Sequence, residues 1–192
     1  MTRFATVATL STLAAALLST AAQAAPATYS IDSKHTFVTF EVKHWGTSTN
    51  RGRFDNTKGT VTLDRAAKTG RAEITIDTNA INTGTPAFDK HLKEGFWNAA
   101  KYPTATFVGD KFTFSGDKVT EVAGQLTLHG VTKPVTLKAN GFNCYDNPMF
   151  KREVCGGDFE TTIQRSAFGI TELQGAVPDD VRLVIQVEAI KQ

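Results

Sequence analysis

Apolar and polar residues alternate along almost the whole chain, and this period of two is the feature that most constrains its fold. In residues 36–44, Val38, Phe40, Val42 and His44 fall on one face of an extended chain. Other segments with the same tendency are residues 59–64, 72–78, 104–108, 111–114, 119–128, 135–139, 159–165 and 181–190. About eight strands joined by short links indicate an all-β fold, an antiparallel barrel or sandwich. A closed barrel of about eight strands holds either packed side chains or one small ligand.

The alternation fails in residues 86–100. The large apolar residues there recur at the spacing of a helix: Phe88, Leu92, Phe96 and Trp97. Pro86 suits a first helical position, Thr85 can cap it, and Tyr102-Pro103 ends the segment. We therefore expect one short helix with an aromatic face, which either plugs an ordinary core or forms a lid over a cavity for an apolar ligand.

The first 24 residues have the pattern of a cleavable signal peptide. Arg3 supplies a positive start, residues 5–18 are apolar or small, and Ala22-Gln23-Ala24 matches an A-x-A cleavage site. The apolar run is too short to span a membrane. We expect residues 1–24 to be removed and residues 25–192 to form one exported domain, in the periplasm if the source is Gram-negative.

The charge pattern argues against a nucleic-acid partner. The chain has 21 basic and 19 acidic residues, a net charge of +2, and neither sign forms a long block. A nucleic-acid-binding domain would be expected to show a basic face or stripe.

Two cysteines, Cys144 and Cys155, fall in the exported part of the chain. An even number of cysteines in an oxidising compartment favours a disulfide, which would contribute about 2–3 kcal/mol by closing this short loop. The spacing is not C-x-x-C, so a redox-active pair is less favoured, and a metal site would need further ligands that are not close in the sequence.

His44 and Arg165 are candidates for polar contact with a ligand at the mouth of such a cavity, because each continues an inward-facing row to the end of a strand. Arginine binds phosphate through two parallel hydrogen bonds. The alternatives are an ion pair of Arg165 with Asp32 or Asp89, and an exposed position for His44. No close metal-binding pattern is present, and Ser166 lacks a G-x-S-x-G elbow. We expect neither catalytic residues nor a metal.

Four blocks of sequence, taken in order, resemble the YceI family of exported, lipocalin-like proteins. The second block contains Phe88-Asp89-Lys90-His91-Leu92, and the third runs from Gly124 to Val135. The first block is residues 29–36 and 40–44, followed by 51–54 and Gly59, and the second is 88–92, 96–98 and 102–107. The third is 124–135, and the fourth is 165–169 with 181–183.

The resemblance implies a single antiparallel barrel with a helix near its opening and an apolar pocket for a polyisoprenoid or another amphiphile. No cofactor is required, although a bound isoprenoid lipid or quinone-like molecule is compatible with such a pocket. The expected partner is a hydrophobic small molecule, with transient membrane contact and a monomer or homodimer as the assembly. The residues expected to touch the ligand are Val38, Phe40, Val42, His44, Ile74, Ile76, Phe88, Leu92, Phe96, Leu126, Leu128, Arg165, Phe168, Leu183 and Ile185.

Two other functions remain open from the sequence. One is an enzyme that acts on an amphiphile at the polar rim of the pocket. The other is an accessory protein of a membrane redox or stress-response system, whose barrel core is filled by side chains.

Overall fold

Strands dominate the computed structural model, which describes residues 25–192. The predicted signal peptide, residues 1–24, lies outside the described residues. The strands are β1 Ala27–Ile31, β2 Phe37–His44, β3 Ser48–Phe54, β4 Thr57–Asp64, β5 Thr69–Asp77, β6 Ile81–Asn82, β7 Thr104–Ser115, β8 Lys118–Leu128, β9 Val131–Asn147, β10 Arg152–Gln164 and β11 Asp180–Lys191.

The sheet closes on itself because β11 pairs with β1, with Tyr29 opposite Lys191. Around the ring the neighbours follow the order β1, β4, β5, β7, β8, β9, β10 and β11. The first part of β11 pairs instead with β2, placing Leu183 opposite Phe40, and β2 continues the sheet to β3 and β6. Strands β1 and β2 therefore lie end to end along β11. The predicted antiparallel barrel of about eight strands is confirmed.

Antiparallel pairing gives the barrel two distinct ends. The tight connections β4–β5, β7–β8 and β9–β10 lie together at one end, here called the hairpin end. The β2–β3 turn, the helix, the β8–β9 turn and the β10–β11 connection lie at the other, here called the lid end. Apolar side chains from all the strands of the ring meet between these two ends.

Three strands were not predicted, and several are longer than the alternation suggested. The segments 104–108 and 111–114 are one strand, β7, with an irregular register between Gly109 and Lys111. The predicted turn 129–134 is only His129-Gly130, whose φ angles of 51° and 77° form a tight hairpin turn, so β9 starts at Val131. Longer strands extend the barrel wall beyond the length expected from residues 135–139.

The predicted helix is present but ends earlier than expected. Helix α1 spans Pro86–His91, and a wider π-type turn, Leu92–Phe96, continues it. Thr85 occupies the N-cap position, but its side chain makes no capping hydrogen bond. Asp89 fixes the preceding segment instead, because one of its carboxylate oxygens accepts from both the backbone N–H and the hydroxyl of Thr83. This unit, residues 86–96, is called the lid below.

Candidate ligand-binding cavity

An apolar cavity of about 130 Å³, here called the inner cavity, lies inside the barrel. Six of the residues predicted to touch a ligand line it: Val38, Ile74, Ile76, Leu126, Leu183 and Ile185. The prediction missed lining residues on other strands, among them Ala72, Phe107, Val122 and Phe159. Their alternation was visible in the sequence, but only strand pairing shows which faces converge on the same space.

Three residues that carry hydroxyl groups, Tyr29, Thr36 and Thr57, are among those that line this apolar cavity. The Thr36 hydroxyl is paired with the backbone of Glu188, donating to its carbonyl and accepting from its N–H. The Thr57 hydroxyl is fully buried and has no hydrogen-bond partner. Within residues 25–192, no charged side chain lines the inner cavity. The lining is therefore suited to hydrocarbon and to neutral groups.

Tyr29 closes the inner cavity toward the hairpin end. Its hydroxyl donates a hydrogen bond to the Glu153 carboxylate at 2.6 Å. The same carboxylate accepts from the Arg65 guanidinium at 2.5 Å and from the Lys191 ammonium at 3.5 Å. Burial, together with the hydrogen bond to the Glu153 carboxylate, raises the pKa of Tyr29 to about 12. Burial acts to raise the pKa of Glu153, but the bond from Tyr29 and the charge of Arg65 outweigh it and lower that pKa. Phenol and carboxylate therefore keep their complementary forms at neutral pH.

The predicted disulfide is present between Cys144 and Cys155, with an S–S distance of 2.04 Å. These residues are direct partners on β9 and β10, so the bond joins neighbouring strands. Cys155 is buried and lines the inner cavity. The disulfide and the Tyr29–Glu153–Arg65–Lys191 group, here called the polar network, together close the hairpin end.

A second cavity of about 100 Å³, the outer cavity, lies under the lid. Seven more of the predicted residues line it: Phe40, Val42, His44, Phe88, Leu92, Phe96 and Arg165. The lid therefore covers a cavity rather than a filled core. His44 is exposed at the cavity rim. The remaining two predicted residues, Leu128 and Phe168, are buried in the core and line neither cavity.

An aromatic cluster of Phe40, Phe54 and Trp97 lies at the boundary between the two cavities. The ring of Trp97 lies 6.0 Å from that of Phe40 and 5.3 Å, edge-on, from that of Phe54. Val38 and Val42, on either side of Phe40 along β2, line the inner and outer cavities respectively. The indole N–H of Trp97 is buried without an acceptor. The sequence placed Trp97 on the helix face but gave no sign of this unpaired group.

Arg165 is buried, with only 4% of its surface exposed, and it is held by backbone carbonyls. Its guanidinium donates to the carbonyls of Ile170, Val177 and Pro178 at 2.8–3.0 Å. The suggested ion pair with Asp32 or Asp89 is wrong, because Asp32 pairs with His35 and Asp89 with Thr83. Arg165 therefore fixes the β10–β11 connection beneath the lid, where its charge lies 6.0 Å from the centre of the Phe96 ring.

Ser166 and the two cysteines, the residues weighed for catalytic or metal-binding chemistry, each have a partner within the protein. The Ser166 hydroxyl donates to Asp179 at 2.7 Å, and the hydrogen bonds from Ser166 lower the pKa of Asp179. In the part of the chain that the structure describes, three potential metal ligands converge at Cys144, Glu153 and Cys155, but the two sulfurs are bonded to each other. No helix in residues 25–192 has the length and apolar character needed to cross a membrane.

These features define a class: eight-stranded antiparallel barrels that enclose an apolar cavity, the architecture in which lipocalins hold one small ligand. Residues 29–189 match the family described as the YceI-like domain. The chain belongs to the YceI family.

Relatives of similar length support this assignment. A UPF0312 protein of Pseudomonas aeruginosa PAO1 is 39% identical over 179 residues, covering 91% of this chain and 93% of that protein. The protein YceI of Salmonella arizonae is 38% identical over 182 residues, covering 93% and 94%.

Solved structures show the same barrel. BcnA of Burkholderia cenocepacia has a TM-score of 0.68 at 25% identity, covering 83% of this chain and 99% of that one. The YCEI protein of Campylobacter jejuni has a TM-score of 0.67 at 27% identity, covering 78% and 90%. A polyisoprenoid binding domain from Saccharophagus degradans has a TM-score of 0.63 at 18% identity, covering 85% and 98%, which shows the fold alone.

Proposed function

We propose that this chain is a periplasmic carrier that holds a polyisoprenoid, or a similar long-chain amphiphile, inside its barrel. Residues 1–24 would direct export and residues 25–192 would carry the ligand. The observation that carries the proposal is the inner cavity, whose lining is almost entirely apolar. The solved polyisoprenoid binding domain with the same fold supports this choice of ligand.

The two cavities suit different parts of such a ligand. The inner cavity would hold the hydrocarbon tail, in contact with Val38, Ile76 and Ile185. Apolar burial contributes about 0.8 kcal/mol per methylene relative to water. A bilayer offers the tail nearly the same stabilisation, so transfer from membrane to barrel is close to neutral for the tail. Polar contacts and opening of the lid would then decide when the ligand is taken up and released.

The lid would be the route of entry. Phe88, Leu92 and Phe96 face the outer cavity from the lid, and His44 lies at its rim. The opposite end is closed by a disulfide and the polar network. Brief contact of the lid end with a membrane would bring the ligand to the opening without requiring a catalytic group.

The first test is native mass spectrometry, with organic extraction, of the protein purified from its own periplasm. A bound species with an isoprenoid mass pattern is expected. Protein at the mass of the free chain, unable to bind added polyprenyl lipids, would contradict the carrier function.

A substitution that fills the inner cavity tests where the ligand lies. Ala72 lines that cavity and is buried, whereas Thr75, on the same strand, faces outward and is exposed. Ala72→Trp should reduce ligand binding at least about tenfold by filling the tail site, while Thr75→Trp should bind normally. Circular dichroism would confirm that both variants fold, and Ala72→Leu provides a milder variant if Trp does not. Full binding by folded Ala72→Trp would contradict this placement.

A further inference from the structure

Two large apolar side chains are exposed to solvent at the lid end of the barrel. Trp45, in the β2–β3 turn, has 69% of its surface exposed, and Leu173, in the β10–β11 connection, has 58% exposed. Single exposed apolar residues are common on protein surfaces, so exposure alone assigns no role. These two differ from the common case in their backbone conformation and in their position beside the outer cavity.

The backbone at both residues has a conformation that bulky side chains seldom adopt. The φ angle is 51° at Trp45 and 51° at Leu173, and among residues 25–192 no other apolar residue except glycine has a positive φ. This left-handed region is mostly occupied by glycine or asparagine. The Trp45-Gly46 pair forms a tight turn, in which the Thr47 N–H donates to the His44 carbonyl at 3.0 Å, and such a turn prefers asparagine before glycine. The chain therefore accepts backbone strain while displaying tryptophan and leucine at these positions.

Hydrogen bonds join the two exposed turns into one unit. The Trp45 N–H donates to the Ala176 carbonyl at 2.9 Å, and the Ala176 N–H donates to the Leu173 carbonyl at 2.9 Å. The guanidinium of Arg165 donates to backbone carbonyls on both sides of Leu173 along the chain. The backbones that carry the two apolar side chains are therefore held in a fixed relation to each other and to the barrel.

We infer that Trp45 and Leu173 are membrane anchors, which insert between the head groups of a phospholipid bilayer and hold the lid end on its surface. The inference rests on the proposed carrier function, and it identifies the residues by which the carrier meets a membrane. The barrel then stands with its outer cavity facing the bilayer and its hairpin end facing away.

The position of Leu173 favours a bilayer as the partner. Leu173 lines the outer cavity although more than half of its surface is exposed, so apolar surface continues from the exposed turn into the cavity. Tryptophan favours the boundary between head groups and hydrocarbon, where its ring is buried and its N–H stays close to water. Two side chains at turns offer much less area than the roughly 800 Å² per partner of a stable protein interface. A bilayer accepts single inserted side chains and needs no such area.

The charges near the anchors suit a surface of lipid head groups. Lys43, two residues before Trp45, and Lys93, on the lid, form no salt bridge within residues 25–192, so their ammonium groups can contact lipid phosphates. Glu94 and Glu172 lie at the same end, which keeps the net charge there small. Apolar insertion, rather than attraction to anionic lipid, should therefore supply most of the binding.

Co-sedimentation with vesicles of phosphatidylethanolamine and phosphatidylglycerol tests the anchors. Trp45→Asn and Leu173→Asn remove the apolar side chains and supply a residue that tolerates the left-handed backbone. Each should weaken vesicle binding about tenfold, because the apolar surface that it removes no longer enters the bilayer. The matched control is the double variant Met149→Asn, Phe150→Asn, which removes exposed apolar side chains from the β9–β10 turn at the hairpin end. This control should bind vesicles like the wild type.

Thermal unfolding separates anchoring from a structural role. Trp45→Asn and Leu173→Asn should each melt at the same or a higher temperature than the wild type, because asparagine relieves the strain at a φ of 51°. Weaker vesicle binding together with a lower melting temperature in both variants would identify a packing role for these side chains and would overturn the inference.

Tryptophan fluorescence reports insertion directly. The chain has two tryptophans, so Trp97→Phe leaves Trp45 as the reporter. Its emission should shift to shorter wavelength when vesicles are added, and lipids brominated on their acyl chains should quench it. Unshifted emission from vesicle-bound protein would mean that Trp45 stays in water and is not an anchor.

Three further results would distinguish the anchors from the carrier function. Vesicle binding that is lost in the hairpin-end variant and kept in the lid-end variants would reverse the orientation and overturn the inference. Wild-type protein that binds no vesicles, yet carries an extracted lipid in native mass spectrometry, would keep the carrier function and lose the anchors. Protein that binds vesicles through Trp45 and Leu173, yet holds no ligand, would keep the anchors and lose the carrier function.

Discussion

The hairpin end and the lid end of the barrel are closed by different kinds of interaction. At the hairpin end a disulfide joins β9 to β10. Glu153 there accepts a hydrogen bond from Tyr29 and forms salt bridges with Arg65 and Lys191. At the lid end α1 contains no buried residue, and it reaches the outer cavity through Phe88 and the following turn. Segments with little buried surface open at low free-energy cost, whereas cross-linked strands do not. The difference supports the proposed entry of the ligand at the lid end.

Arg165 is the exception at the lid end, and removing it should have the largest effect on stability. Arg165→Met removes the donors to the carbonyls of Ile170, Val177 and Pro178, the first two of which are buried, so the free energy of unfolding should fall by about 3–5 kcal/mol. Urea denaturation followed by fluorescence measures this. The control is Arg182→Met, at an exposed arginine paired with Glu41 and Glu160, which should lower the free energy of unfolding much less. Equal losses in the two variants would show that Arg165 does not anchor its connection.

The disulfide should have the next largest effect, confined to the hairpin end. The double variant Cys144→Ala, Cys155→Ala removes a cross-link with a sequence separation of 11 residues and should lower the free energy of unfolding by about 2–3 kcal/mol. Hydrogen exchange should accelerate in residues 142–157 and remain unchanged in the lid. Faster exchange in the lid instead would mean that the two ends are coupled.

Replacing a phenylalanine by alanine at each end of the barrel should have the smallest effect on stability. The two variants test most directly by which end a ligand leaves. Phe88→Ala shortens the lid side chain that faces the outer cavity, and Phe112→Ala makes the same change in a half-buried residue of the inner cavity. Phe88→Ala should cost about 1 kcal/mol or less of stability and speed ligand release about tenfold, measured by stopped-flow fluorescence. Faster release in Phe112→Ala alone would place the route at the hairpin end.

The sequence predicted most of the barrel because alternation survives wherever one face of a strand is buried. Strand β3 was missed because glycine and polar residues fill it: Gly52 faces the ring of Phe40, and a β-carbon there would lie 2.6 Å from that ring. The space that a side chain of β3 would occupy belongs to its neighbour, so the alternation is absent from β3 itself. The residues of β3 alone therefore do not show that a side chain of the neighbouring strand fills this space.

Thirteen of the fifteen residues predicted to touch a ligand line either the inner or the outer cavity. Leu128 and Phe168 alternate correctly but pack into the core beside the lid end, because facing inward does not fix the height of a residue along the barrel. Thr57 was missed for a different reason. A threonine at the start of a strand is unremarkable in sequence, and only the absence of a partner in the folded protein singles it out.

The seam between β1 and β11 has a consequence for how the protein acquires its shape. Tyr29 and Lys191 are neighbours in the ring although they stand near opposite ends of the chain. The ring therefore cannot close until the last strand has been made, and contacts of such long sequence separation form slowly. A chain lacking the residues of β11 has no enclosed interior, since that strand contributes Leu183, Ile185 and Val187 to the inner cavity. The enclosed interior thus depends on one pairing between strands from the two ends of the described chain.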